Sequence, residues 1–118
     1  INNDGSINVQ IVPSGNIVNE YNEVTNVASN FNTTILSYIA PSNCKIKHIN
    51  IAGTNIAEYK VTVDTIVKDK LYTYYGNLNS RFDFGDGLEV TGGQEIKIEV
   101  IHLRPDLGSF FARIQVVI

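Results

Sequence analysis

The chain has 118 residues, of which 43% are apolar and 18% charged, and its formal net charge is −3. That length fits one domain, large enough to bury a core without disulfides or a metal. The acidic balance argues against a nucleic-acid partner, the single cysteine excludes a disulfide scaffold, and no apolar run is long enough to span a bilayer.

Residues 1–30 are rich in Asn and alternate poorly. They are expected to form an arm or edge strand leading into a domain at 31–118. Within them Ile7–Val12 is a predicted strand, and 18–27 a second, irregular one. Ile7, Val9, Ile11, Ile17, Val18 and Val24 are expected to lie outside the compact domain. There they would need a partner, because an isolated domain avoids exposing such a row; the alternative is that the arm folds back and covers the outer row of the last strands within one chain. The sequence has no Met, so the chain is expected to be processed or part of a longer one.

From Thr33 onward, polar and apolar residues alternate with a period of two, and no window carries helical spacing. The predicted strands are 33–40, 45–52, 57–64, 66–74, 81–84, 88–90, 95–103 and 109–118. Pro41-Ser42-Asn43, Gly53-Thr54-Asn55, Gly85-Asp86-Gly87, Gly92-Gly93 and the stretch from Arg104 to Gly108 supply the turns. Many short strands between Gly and Pro turns predict an all-β, two-sheet antiparallel sandwich. Phe82, Phe84, Ile96, Ile98, Val100, Ile114 and Val116 fall on the apolar rows and are the predicted core. Ile101, Leu103, Phe111 and Val117 fall on the opposite rows. With Ile7, Val9 and Ile11 they are the candidate assembly surface.

Chemistry-bearing residues are sparse. His48 and His102 sit in predicted strands without the spacing of a metal site, and are expected at a sheet surface or edge. Asp83, Asp86 and Glu89 surround glycines, a composition that could hold calcium. No further ligand accompanies them, so they read as solvated acids on a turn. Cys44 reads as a small buried side chain. No catalytic constellation, cofactor motif or metal site is expected. Tyr72, Tyr74, Tyr75, Asn77, Asn79 and Arg81 crowd one stretch, and rings beside amides and a guanidinium suit sugar or protein contacts. The alternative for Tyr72 and Tyr74 is packing on one sheet face.

Four segments carry a resemblance. They are Thr33 to Gly53 (TTILSYIAPSNCKIKHINIAG), Ala57 to Asp64 (AEYKVTVD), Arg81 to Val100 (RFDFGDGLEVTGGQEIKIEV) and Phe110 to Val116 (FFARIQV). Together they resemble the small jelly-roll domains of tailed-bacteriophage virion proteins, with Ser42-Asn43 in place of the pair that usually follows the turn proline. The resemblance implies a jelly roll with no active-site residues. It also implies a non-catalytic virion structural protein, either capsid decoration or cement or a head-neck-tail component. Its partners would be other virion proteins and copies of itself, as a trimer or on a lattice. The alternative is a carbohydrate- or receptor-binding module of a fibre, or a lectin-like domain.

Overall fold

The structure, a computed structural model, describes residues 16–118. The predicted strand Ile7–Val12, with Ile7, Val9 and Ile11, lies outside the described residues. Eight strands run in chain order: β1 Ile17–Val27, β2 Asn32–Ile39, β3 Cys44–Gly53, β4 Ala57–Val63, β5 Ile66–Tyr72, β6 Asn79–Val90, β7 Glu95–His102 and β8 Gly108–Val117. They form two antiparallel four-stranded sheets. The front sheet has the order β1-β8-β3-β6 and the back sheet β2-β7-β4-β5. The chain switches sheets at every connection except β4 to β5, giving a jelly-roll sandwich.

Alternation explains the core. In β7 the residues Ile96, Ile98, Val100 and His102 turn inward, and in β8 Phe110, Ala112, Ile114 and Val116 do so from the other sheet. Ile46, Ile49, Ile51, Tyr59, Val61 and Phe82 belong to the same buried layer. Burying one such aliphatic or aromatic side chain contributes about 1.5–3 kcal/mol.

β3 needs a bulge to achieve this. Ile46 and Ile49 are three apart in sequence yet both fully buried, and the register shifts between Ile46 and His48 against both neighbouring strands. One extra residue, Lys47, resets the parity of the strand.

Four expectations are corrected. Ile17, Val18 and Val24 do not lie outside the jelly roll. β1 is the edge strand of the front sheet, paired with β8 from Ile17↔Val117 to Val27↔Gly108, and Val18 and Val24 pack against the core. The predicted strands 81–84 and 88–90 are one strand, β6. Its Gly85-Asp86-Gly87 segment, with φ of 61° at Gly85 and 117° at Gly87, is a bulge within the strand rather than a turn between two. Phe84, predicted in the core, is only partly buried and stacks on Phe82 at 6.3 Å, because the bulge begins beside it. His102 is not at a sheet surface. It is fully buried, its ring edge-on to Phe110 at 5.2 Å.

Candidate functional site

One end of the sandwich gathers the loops β1–β2, β3–β4, β5–β6 and β7–β8, and hydrogen bonds tie them together. Asn30 N donates to His102 O (2.8 Å), Leu103 N to Ile56 O (3.3 Å), Thr54 N to Ser109 O (3.0 Å) and Gly53 N to Leu78 O (3.2 Å). The Thr73 hydroxyl accepts from Ala57 N at 3.1 Å. Such cross-bonding fixes loop ends that would otherwise be mobile.

This end displays the tyrosines. β5 stops at Tyr72, two residues before the predicted end, because Tyr74 and Asn77 pair across a tight turn with Tyr75-Gly76 at its tip. Gly76 has φ 92°, the left-handed conformation that such a turn requires. Tyr74 and Tyr75 are each 64% exposed. Arg104, from the β7–β8 loop, lies over the Tyr75 ring at 5.7 Å from its centroid, within cation–π reach. Phe31, Leu103 and Leu107 are exposed in the loops of this same end.

The tyrosine-asparagine-arginine stretch is therefore divided. Tyr74, Tyr75 and Asn77 occupy the loop end. Tyr72 is exposed on the outer face of the back sheet, opposite Glu58. Asn79 and Arg81 lie on β6 in the front sheet, opposite Ala52 and Asn50. Arg104 completes the tyrosine group from nearly thirty residues away, and no local spacing could have announced it.

The four described members of the candidate assembly surface are also divided. Ile101 is half-buried on the back sheet, next to Asn32 and Glu58. Leu103 lies just beyond it in the loop end. Phe111 and Val117 face outward from the front sheet, where Phe111 meets the Tyr21 ring at 6.3 Å. Val117, with Asn43, Lys45, Glu89, Thr91 and Ile118, lines a shallow cavity of about 450 Å³ at the end away from the tyrosines.

The two outer sheet faces carry different side-chain networks. On the back sheet lysines meet glutamates: Lys60–Glu99 at 3.6 Å, Lys70–Glu58 at 3.3 Å and Lys97–Glu95 at 4.0 Å. The front face carries two cross-strand rows. Tyr21, Arg113, Asn50 and Arg81 stand side by side on β1, β8, β3 and β6, and Asn19, Gln115, His48 and Asp83 form the next row. Arg113 donates to the Asn50 amide oxygen at 3.3 Å, and Arg81 meets Asp83 at 3.4 Å. Burial, then the nearby Arg81 and Arg113 guanidiniums, hold the His48 imidazole below the usual histidine pKa, partly offset by Asp83.

The acids near the β6 glycines do not converge. Asp83 is held by Arg81 and by Gly85 N (3.2 Å), Glu89 stands opposite Lys45, and no group of three His, Cys, Asp or Glu among the described residues is placed to hold a metal. Cys44 is buried, and burial pushes its thiol pKa up, so the thiolate is disfavoured.

No protein-family model matches this sequence, and no curated protein does at a significant level. Among solved structures, a chain from the acidic stable capsid structure of Helicobacter pylori bacteriophage KHP30 is similar, with a TM-score of 0.61 over 86% of this chain and 87% of that one, at 9% identity. At that identity the likeness is one of fold, extending over nearly the whole of both chains.

Proposed function

We propose that this domain is a non-catalytic structural protein of a bacteriophage particle, acting by protein–protein assembly as a capsid decoration or cement protein or as a head-neck-tail component. The observation that carries this reading is the fold shared with a phage capsid chain along nearly the full length of each. The sequence resemblance to virion jelly rolls supports it independently. The loop end supports the mode of action. Exposed Phe31, Tyr74, Tyr75, Leu103 and Leu107, with Arg104 over Tyr75, have the composition of a protein-contact hot spot. The partners are other virion proteins and further copies of the chain, as a trimer or on a lattice. Immunogold labelling of gradient-purified particles tests the reading. Gold on the particles is the expected result, and protein confined to the particle-free fractions of the lysate would refute it.

A second reading, a receptor- or carbohydrate-binding module, is favoured by the pair of exposed tyrosines beside Asn77 and Arg104. A glycan array separates the two readings. Sugar binding lost in Tyr74→Ala and Tyr75→Ala would support the second.

A further inference from the structure

We infer that β1 is a self-association edge, along which two copies of the chain pair antiparallel about a twofold axis at Tyr21. The contact joins copies of the chain, which the proposed function includes among its partners. It is measured on the isolated chain, so its outcome and that of the particle labelling are independent.

The open edge is the first argument. β1, β6, β2 and β5 are the edge strands of the two sheets. A long regular edge invites another strand, and bulges block such pairing. β2 is interrupted between Thr34 and Leu36, β5 carries an extra residue, Lys68, between the partners of Val61 and Thr62, and β6 has the Gly85-Asp86-Gly87 bulge. Of these four strands β1 alone keeps an unbroken register, from Ile17 to Val24, against its neighbour β8. No described strand pairs with its other side.

Self-complementarity is the second. A twofold axis perpendicular to the sheet keeps each face on its own side. Every residue must then meet one of its own parity, and the residue on the axis meets itself. With Tyr21 on the axis, Val18 meets Val24, Glu20 meets Asn22 and Asn19 meets Glu23 of the second copy, each twice by symmetry. Both carboxylates thus face amides. The valines, which already pack against the core, extend it across the axis. Neighbouring registers fail this test. With Glu20 or Glu23 on the axis, like carboxylates meet directly; with Asn22 there Glu20 meets Val24, and with Asn19 there it meets Val18.

The side chains are available for this pairing. Glu20 and Asn22 stand opposite buried Ile114 and Ala112 yet are exposed, so the inner side of β1 is open at the sandwich edge. Ile35 O accepts from Asn22 Nδ2 at 2.9 Å, which fixes the amide and leaves its second hydrogen for a carboxylate. Among the described residues neither Glu20 nor Glu23 has an ion-pair partner. On the outer face Tyr21 is 69% exposed and meets Phe111 at 6.3 Å. Two such ring pairs side by side supply the apolar centre that an interface needs.

The test uses the full chain. Sedimentation equilibrium up to about 1 mM is expected to show monomer and dimer, with a Kd of about 0.1 mM or tighter. Asn19→Glu sets like charges opposite Glu23 twice per dimer and should weaken association about fivefold, whereas Asn19→Lys should strengthen it by a similar factor. Asn19 is exposed, so an unchanged melting temperature will show each variant folded. Cysteine pairing reads the register. Directly opposed residues of an antiparallel pair have Cα atoms about 4.5–5.5 Å apart, within disulfide range. Under mild oxidation Tyr21→Cys should therefore form an intermolecular disulfide by itself. Asn19→Cys and Glu23→Cys should each stay uncrosslinked alone and crosslink when mixed. Cys44 is buried and common to all, so the wild type serves as the control. A monomer mass at every concentration, a trimer, charge variants that act in the same direction, or failure of Tyr21→Cys to crosslink more readily than Asn19→Cys alone would overturn the inference.

Discussion

His102 Nδ1 lies 3.0 Å from the backbone oxygen of Val27, 75 residues earlier in the chain. A carbonyl can only accept, so Nδ1 carries the proton and donates it. The other ring nitrogen, Nε2, is buried without a partner among the described residues. His102 thus latches the end of β1 to β7, which belongs to the opposite sheet, while its own backbone oxygen holds Asn30. His102→Ala would leave the Val27 oxygen without its donor and open a void beside Phe110. Urea unfolding should show a loss of about 2–4 kcal/mol. Amide exchange in β1 should quicken near Val27, while the β3–β6 pairing stays protected.

Tyr59 presents the opposite case. Its hydroxyl is buried and unpartnered among the described residues, and burial pushes its pKa far above the usual tyrosine range. Tyr59→Phe removes the unsatisfied group and keeps the ring against Phe110. It should leave stability unchanged or raise it by about 1 kcal/mol. The folded state holds this proton more tightly than the unfolded state does. The wild-type contribution is therefore complete below the ordinary tyrosine pKa, about 10, and is lost as pH rises beyond it. Thermal melts from pH 9 to 11 should show a steeper alkaline decline in the wild type than in Tyr59→Phe.

The two glycines of the β6 bulge should separate in cost. A Cβ on Gly85 would meet nothing within 4 Å, so Gly85→Ala bears only the left-handed backbone, about 1–2 kcal/mol. A Cβ on Gly87 would fall 2.8 Å from Lys45 Cβ at a φ of 117°. Gly87→Ala should cost more, about 2–4 kcal/mol, because the β3–β6 pairing must shift as well. Melting temperatures of the two variants, compared directly, check the ranking.

His48 offers a spectroscopic check on the front face. Its imidazole should titrate below the ordinary histidine midpoint by NMR. Arg81→Gln or Arg113→Gln should move the midpoint up, and Asp83→Asn should move it down. Burial is the largest cause, so neither arginine variant alone should restore the ordinary value. The unfolded chain takes up this proton more readily than the folded one. His48 therefore disfavours the folded state as pH falls below about 6.5, and leaves stability unaffected above it.

Period-two alternation is a local property, and it determined most of the fold. A strand buried on one face writes its apolar row directly into the chain. The rows of β7 and β8, the Gly and Pro turns, and the absence of helical spacing were all legible without coordinates, and so was the two-sheet sandwich. Bulges broke this reading. In β3 and β6 one or more inserted residues shift the parity, so Ile46 and Ile49 share a face that alternation would separate, and Gly85-Asp86-Gly87 looks like a turn. Only the pairing of these strands with their neighbours shows that they continue. The site was legible in less measure. Sequence proximity grouped Tyr72 through Arg81, but a jelly roll sends successive strands to different sheets, which scattered them. Tertiary structure alone placed Arg104 over Tyr75, aligned Tyr21, Arg113, Asn50 and Arg81 across four strands, and buried His102 against Val27. Each of these relationships joins residues far apart in the chain. Their side chains meet only once the sheets have closed, and no local pattern encodes them.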